Sequence, residues 1–198
     1  MSVTADPPTR TDGELLGAAA RGDEEAFLEI YRRHQGPVYR FAYRMTGSAE
    51  AARDVTHTCF ASLLEAPGRY EEHRADLGTY LCAAARNQSL RHARQTWREA
   101  AMRGAVDVEP SRGPSPLELL LIEERSRIVR DALLALAPLH RDVLILAEYE
   151  ELDLATIAEI VGARVGAVKV RLHRARQKLR RALESYVTCG AVARQART

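Results

Sequence analysis

Seven lysine and arginine residues are concentrated near the carboxyl end of the sequence. They lie in the stretch VGAVKVRLHRARQKLRRAL, residues 165–183, at positions 169, 171, 174, 176, 178, 180 and 181. Five apolar residues recur there at steps of three and four: Val168, Leu172, Ala175, Leu179 and Leu183. This spacing predicts a helix with one apolar face and cations around the rest. Since the whole chain has a formal net charge of only +2, the positive charge is segregated locally, as is typical of a surface that binds a polyanion.

A helix-turn-helix pattern surrounds this basic helix. The segment LDLATIAEIVGARVGAVKVRLHRARQKL gives a short helix, a turn with glycine and the longer basic helix. Ala158 is small enough to let the two helices cross closely. A basic amphipathic helix by itself is equally compatible with a solvated face, a membrane surface or a calmodulin-like groove. The preceding helix and turn favour nucleic acid, with the second helix in the major groove of DNA.

The residues that face outward from this helix are candidates for DNA contact. With Val168, Leu172 and Ala175 inward, the residues that face outward are Lys169, Val170, His173 and Arg174. An arginine that contacts guanine would read the sequence, whereas contacts to phosphate would only position the helix. We expect the second role for Arg171 and Arg176. The full candidate set is Arg164, Lys169, Val170, Arg171, His173, Arg174 and Arg176.

Composition excludes several classes of protein. Of the 198 residues, 46% are hydrophobic and 28% charged, which is typical of a globular chain. No run of eighteen apolar residues occurs and the first residues lack a signal-peptide core, so we expect no membrane span. The three cysteines form no CxxC pair, which argues for a reducing cytoplasm. The six histidines form no HExxH spacing and no GxSxG or P-loop motif occurs, so we expect no catalytic residues, no metal and no cofactor.

The helices that must position these residues divide the chain into two groups. We predict an all-α fold of two small helical domains joined by a flexible linker, the second being the helix-turn-helix. The predicted bounds are a disordered N-terminus at 1–11, domains at 12–100 and 116–186, a linker at 101–115 and a short tail at 187–198. The linker contains two glycines and two prolines and lacks helical periodicity.

Helix boundaries are marked by caps and prolines. Asp12, Asp23 and Ser48 each precede a helical pattern in the first domain as caps, and Pro37 is expected to open a separate helix. In the second domain, Ser115 to Glu118 forms a capping box with proline at the first helical position, and the helix it opens is expected to reach about residue 135. Further starts are predicted at Pro138 and Asp153, and a break at Gly162.

The sequence resembles bacterial extracytoplasmic-function sigma factors of the sigma-70 family over about residues 23–100 and 116–184. The stretches ATIAEIVG and GAVKVRLHRAR are similar to the AEIAEILG and GTVKSRLHRAR of their promoter-binding domain. The stretch AFLEIYRRHQGPVYRFAYRMTGSAEAARDVTHTCFASLLEAPGRY resembles their first domain, and LGTYLCAAARNQSLRHARQ resembles its promoter-melting segment. The resemblance implies a transcription initiation factor whose second domain reads the −35 element and whose first domain reads the −10 element. The open alternative is a helix-turn-helix regulator that is not a polymerase subunit.

The resemblance also implies partners and the residues that meet them. The partners are promoter DNA and core RNA polymerase, through the clamp helices of its largest subunit and the beta flap, with an anti-sigma factor or a Ser/Thr kinase as regulator. Asn87 matches an asparagine near the pocket for a flipped −10 base. Trp97 either stacks on unpaired bases or packs, while Tyr80 is favoured as a packing residue. The −10 set is Arg86, Asn87, Arg91, Arg94 and Trp97, and the polymerase set is Arg53, Asp54, His57, Thr58 and Phe60.

Some positions depart from the family pattern. Where the family usually has DAEDLVQETF, this chain has AARDVTHTCF, so Ala51 and Arg53 replace acids and Thr58 stands where glutamate is common. We therefore expect weak affinity for core polymerase. A phosphate on Thr58, or on Thr56, would add a charge of about −1.5 to −2 and restore the negative charge that the replaced acids provide in the family. The alternative is compensating change elsewhere in the chain or in the polymerase.

Overall fold

The structure, a computed structural model, describes residues 10–103 and 127–195. Throughout these two ranges the regular structure is helical and no strand occurs, which confirms the all-α class. Of the N-terminus predicted to be disordered, 1–11, residues 1–9 lie outside the described residues, as do the linker from 104 onward, the capping box at 115–118 and the end of the tail. Residues 10 and 11 are ordered, since Arg10 pairs with Asp23 and the Thr11 side chain accepts from the Glu14 N–H, so the prediction is wrong for these two. No helix in the described part is long and apolar enough to cross a membrane.

The first region, residues 12–103, is a four-helix assembly. Its helices are α1 (Asp12–Ala19), α2 (Glu24–Thr46), α3 (Ala49–Glu65) and α4 (Leu77–Arg103), with a 3₁₀ turn at Pro67–Arg69. Helix α2 packs against the other three, and its apolar face supplies Ile30, Val38 and Phe41 to a fully buried core. The Asp23 side chain accepts a hydrogen bond from the Ala26 N–H at 3.0 Å, and the Ser48 side chain caps α3 in the same way. Both predicted caps are confirmed.

Two predicted boundaries of the first region are wrong. Helix α1 is capped by Thr11, which forms a capping box with Glu14, rather than by Asp12. Helix α2 runs through Pro37 without ending, although proline in a helix interior is unfavourable by about 3 kcal/mol. Ile30 before the proline and Val38 after it lie in the same buried core. The burial of both halves of α2 in this core outweighs the tendency of Pro37 to end the helix.

The second region, residues 127–195, contains helical residues 127–134 (α5), α6 (Pro138–Glu148), α7 (Leu154–Val161) and α8 (Val165–Gln195). The predicted starts at Pro138 and Asp153 are confirmed, as is the break at Gly162. Two helices extend past the predicted domain bounds: α4 continues to Arg103 and α8 to Gln195, beyond residue 186.

The two regions pack on each other. Helix α6 lies against α2 and α4, and one continuous hydrophobic core joins residues of the first region to Val143, Ile145 and Leu146 of α6. Arg141, which is buried, ties the regions further, since its guanidinium donates to the carbonyls of Leu133 and Leu136 beside it and to the carbonyl of Met45 at the end of α2. The predicted linker therefore joins two bodies that touch.

Candidate nucleic-acid interface

Helices α7 and α8 form the predicted helix-turn-helix. Ile157 and Ala158 of α7 are buried, as are Val168, Leu172 and Ala175 of α8. These are the residues that the periodicity assigns to the inward face. With that seam buried, the opposite face of α8 is turned away from the protein, as the motif requires for entry into a major groove.

The turn before α8 is fixed by backbone hydrogen bonds and by glycine. Gly162 has φ 63° and ψ 44°, in the left-handed region that glycine adopts without strain. The Ala163 N–H donates to the Ala158 carbonyl at 2.9 Å, closing the end of α7. At the other end, Asp153 accepts from the backbone N–H groups of Ala155 and Thr156 at 2.7 and 3.1 Å. Its bonds to Thr156 and Ala155 hold the pKa of the Asp153 carboxyl below its ordinary value.

The candidate residues on α8 form an exposed face. Lys169, Val170, His173 and Arg174 are exposed, Arg171 is half-buried, and Arg164 is exposed just before the helix. His140, at the start of α6, lies in the field of this face. Its pKa is lowered by burial first and then by the charges of Lys178, Arg174 and Arg171.

Arg176 is placed differently from the other cations. Its Nε donates to Glu148 Oε1 of α6 at 2.8 Å, so the guanidinium predicted to meet phosphate is paired within the second region. Both side chains are about half exposed to water. An ion pair of this kind contributes little to stability and a phosphate can displace it.

Four of the five −10 candidates lie exposed along α4. Asn87, Arg91 and Arg94 are exposed, and the Trp97 side chain is 80% exposed. The packing alternative for Trp97 therefore does not hold in this structure. Tyr80, in contrast, is half-buried against Tyr70, with ring centroids 5.5 Å apart in an edge-to-face arrangement, as expected for a packing residue.

Arg86, the fifth −10 candidate, is buried and already paired. Its Nε donates to Asp142 Oδ2 of α6 at 2.7 Å, and its Nη1 donates to Asn87 Oδ1 at 3.2 Å. Asp142 is completely buried. The expectation that Arg86 faces phosphate is thus not met in this structure, because a buried guanidinium needs a counter-ion and Asp142 supplies it.

Asp142 and Arg141 are buried charged residues that sequence reasoning missed. Both lie in LHRDVLILAEY, the otherwise apolar stretch that forms α6. Two charged residues within a predicted buried face are a signal for long-range partners, because buried charges are rarely left unpaired. The signal was present in the sequence, but it does not name the partners.

The polymerase candidates on α3 separate into two faces. Arg53, Asp54, His57 and Thr58 are exposed on one side of the helix. Phe60 is 2% exposed, and its ring lies 4.8 Å from that of Tyr31, so it is a core residue and not a contact residue. This corrects the prediction for Phe60.

The two threonines on α3 differ in accessibility. Thr56 is 4% exposed and donates through Oγ1 to the Ala52 carbonyl at 2.7 Å. Thr58 is exposed and donates to the Asp54 carbonyl at 2.8 Å. Only Thr58 offers a hydroxyl to a modifying enzyme without unfolding of the helix.

Two clefts border these faces. One, of about 490 Å³, lies between α2 and α3, and its walls include two arginines, Arg32 and Arg53, beside Tyr31, Tyr39 and His57. The other, of about 800 Å³, lies between α6 and α8 and combines an apolar floor of Leu144, Leu179 and Leu183 with four charged residues, Glu148, Arg176, Arg180 and Glu184. Among residues 10–103 and 127–195, no group of three His, Cys, Asp or Glu side chains is arranged to hold a metal ion.

The chain is similar to known proteins over most of its length. It matches the family Sigma-70 region 2 over residues 30–99 and the family Sigma-70, region 4 over residues 126–179. It is 27% identical over 172 residues to the ECF RNA polymerase sigma factor SigW of Bacillus subtilis, covering 82% of this chain and 91% of that protein. It is 30% identical over 164 residues to the RNA polymerase sigma factor CarQ of Myxococcus xanthus, with coverage of 82% and 91%.

The fold has a counterpart among solved structures. The sigma factor RpoE of Bartonella quintana, in its complex with the anti-sigma factor NepR, superposes with a TM-score of 0.66 at 22% sequence identity. The match covers 80% of this chain and 96% of that one. At this identity, the likeness establishes a shared fold.

Proposed function

The chain belongs to the extracytoplasmic-function sigma factors of the sigma-70 family, and from that membership we propose how its two regions divide the work of promoter recognition. As a sigma factor it binds core RNA polymerase and directs promoter-specific transcription initiation, while the polymerase supplies the chemistry. The observation that carries the proposed division is the pair of exposed cationic faces, one on α8 and one on α4, each mounted on its own buried core.

We propose that the exposed face of α8 reads the −35 element. Lys169, His173 and Arg174 present donors that suit guanine O6 and N7 in the major groove. Val170 is 50% exposed on the same face, and an apolar side chain there suits a thymine methyl group. Arg164 and Arg171 lie at the margin, where contacts to phosphate would set the register of the helix.

For the −10 element, the supporting observation is the exposed part of α4. Asn87 carries an amide that can hydrogen-bond an unpaired base. Trp97 offers a stacking surface, which is worth about 1–3 kcal/mol per base in single-strand binding. Arg91 and Arg94 supply charge for the backbone of the opened strand. Arg86 would join them only after its ion pair with Asp142 is broken.

For core polymerase, we propose two contacts. The exposed residues of α3, Arg53, Asp54, His57 and Thr58, would meet the clamp helices of the largest subunit. The cleft between α6 and α8 would take the beta flap, since its volume of about 800 Å³ and its leucines, Leu144, Leu179 and Leu183, suit an apolar segment flanked by charges. The two contacts lie on different regions, which is consistent with a protein that spans two parts of the polymerase.

For regulation, we propose that the affinity of α3 for the clamp is raised by phosphate on Thr58 through a Ser/Thr kinase. Arg53 gives this face a cation where the family usually has an acid, and Thr58 is accessible. The relative RpoE was solved with the anti-sigma factor NepR, so an anti-sigma factor is the alternative regulator for this chain. Both would act in the cytoplasm, where the polymerase lies.

The experiment that tests the proposed function is initiation in vitro on a promoter mapped from transcript starts after overexpression. Core polymerase with this chain should initiate there and core alone should not. The competing function, a regulator that is not a polymerase subunit, predicts that the chain shifts promoter DNA yet elutes apart from core polymerase in gel filtration. Elution apart from core without specific initiation would overturn the proposal.

A further inference from the structure

We infer that His140 of α6 and Lys178 of α8 together form an anion site that holds one backbone phosphate beside the −35 element. The inference rests on the proposed function, because it takes α8 as the helix that enters the major groove. It goes beyond that function in bringing α6 into contact with DNA. Neither residue belongs to the candidate set for DNA contact that the sequence supplies.

Three cations lie along one flank of α8. Arg171, Arg174 and Lys178 are three and four residues apart, which places them in one row along a helix. Arg174 and Lys178 are exposed, and no acid within the described residues pairs with either of them, whereas Arg176 on the other flank is held by Glu148. The row therefore carries positive charge that the protein leaves uncompensated and that attracts a polyanion.

His140 lies beside this row, on a different helix. It is the third residue of α6, which packs against α8. Burial lowers the pKa of its imidazole most, and the charges of Lys178, Arg174 and Arg171 lower it further, while the Asp142 carboxylate makes the smallest contribution and opposes them. The imidazole of His140 is thus half-buried among cations, with Lys178 exerting the largest effect of the three.

The surroundings of the ring nitrogens determine what His140 can offer to a phosphate. Nδ1 is buried and has no hydrogen-bond partner in the described part of the chain. A proton on Nδ1 would have no acceptor there, and the neighbouring cations oppose a charge on the ring, so the neutral imidazole carries its one proton on Nε2. His140 therefore supplies a single directed N–H donor, and the charge that attracts the phosphate comes from Lys178.

The dimensions of the major groove place Lys178 at its edge. A helix advances about 1.5 Å per residue, so Lys178 lies about 14 Å beyond Lys169 along α8. The groove is about 12 Å wide and about 8.5 Å deep, so the phosphates on either side lie about 10 Å from the centre of its floor. With Lys169 at the base edges, Lys178 has left the floor of the groove and lies level with a phosphate backbone.

A phosphate at this position would accept from Lys178 Nζ and from His140 Nε2 at once. Because the two donors come from different helices, together they fix the angle at which α8 enters the groove, which one lysine on a flexible stem does not. The contact itself carries no sequence information. Its effect is to hold Arg174, in the same row, toward the base edge that the proposed function assigns to it.

The test is binding of a labelled promoter duplex by core polymerase that carries this chain, measured by gel shift at several salt concentrations. Single phosphates around the −35 element are replaced, one per duplex, by uncharged methylphosphonates. The variants are Lys178→Gln, His140→Ala and His140→Gln. Arg180→Gln is the matched control, because it also removes one positive charge from an exposed position of α8, about 160° around the helix axis from Lys178. Thermal unfolding followed by circular dichroism establishes which variants are folded.

In the wild type, neutralising one particular phosphate should weaken binding by about 2- to 12-fold. In Lys178→Gln the unmodified duplex should already bind more weakly by that factor, the same neutralisation should have little further effect, and the slope of log affinity against log salt should fall by about 0.9. His140→Ala should also weaken binding but leave that slope unchanged, because a neutral donor releases no counterion. His140→Gln should recover most of the loss, since its amide also donates an N–H.

The site is overturned if every phosphate replacement weakens Lys178→Gln as much as the wild type, if Arg180→Gln behaves like Lys178→Gln, or if folded His140→Ala binds as tightly as the wild type. Should His140→Ala unfold, the exposed position 178 and its phosphate decide. Initiation at the mapped promoter separates this result from the proposed function. Normal initiation by all variants, with no phosphate whose effect depends on residue 178, leaves the sigma-factor function standing and removes the site; no specific initiation by the wild type overturns both.

Discussion

Arg174 and Arg176 lie two residues apart on α8, yet their surroundings predict opposite consequences for DNA binding. Arg174 is exposed and has no ion-pair partner among the described residues, so its guanidinium is free to contact a base edge. Arg176 is held by Glu148, with Nε and Oε1 2.8 Å apart. Any contact of Arg176 with phosphate must first break that pair.

The magnitudes follow from these two situations. Loss of a base contact in Arg174→Ala should weaken binding by about 1–3 kcal/mol, or about 5- to 150-fold, and blur sequence preference at one position. An exposed ion pair is worth about 0.2–1 kcal/mol. Arg176→Ala should therefore cause a smaller loss that is equal for all sequences and lowers the salt dependence. Glu148→Gln frees Arg176 and should tighten binding to every duplex by about 1.5- to 5-fold.

The assay is fluorescence anisotropy with two labelled duplexes, one carrying the mapped −35 element and one with the same bases scrambled, at several salt concentrations. Glu159→Gln is the control for Glu148→Gln, because both remove one negative charge from the second region but Glu159 has no ion pair with a described cation. Equal losses on both duplexes in Arg174→Ala would refute the base contact. Identical curves for Glu148→Gln and Glu159→Gln would refute the account of Arg176.

Three further predictions concern the first region. Thr58→Glu and Arg53→Glu should each tighten core binding by up to several-fold, measured by titration, whereas Thr56→Glu should lower the melting temperature because Thr56 is buried; unchanged affinity in the first two variants would refute the proposed charge switch. Phe60→Ala should destabilise the fold by about 3–5 kcal/mol in chemical denaturation, as for other buried aromatic residues; a loss of core binding without a loss of stability would contradict its placement. Burial raises the pKa of both Cys59 and Cys82 to about 12. In a Cys189→Ser variant, alkylation of the native protein at pH 8 should therefore be about 1,000-fold slower than in urea, because the thiolate fraction falls tenfold per pH unit of the shift; equal rates would refute the burial.

Local signals in the sequence predicted the helix-turn-helix well. Asp153 as cap, Gly162 at the turn and the inward spacing of Val168 and Leu172 are confirmed because each depends on residues within a few positions of one another. Local preference failed at Pro37. At Pro37 the helix continues because α2 is buried against three other helices. Those contacts join residues that are far apart in the sequence, so the residues around Pro37 do not predict them.

The error at Arg86 has a different origin from the error at Phe60. Thr56, Cys59, Phe60 and Leu63 recur at steps of three and four, so the periodicity of α3 already placed Phe60 on the buried face. The resemblance to the family's polymerase contact was given more weight than that pattern. Arg86, in contrast, pairs with a residue 56 positions away, and periodicity cannot identify such a partner.

The buried position of Arg86 also explains why a basic helix face on α4 does not imply that every cation on it is free for DNA. A guanidinium at the edge of an apolar face is stable there only if an acid from another element meets it. In this chain the acid comes from the region that carries the second DNA-reading helix. The burial of Arg86 is therefore decided by a contact between the two regions, which the spacing of residues within α4 cannot reveal.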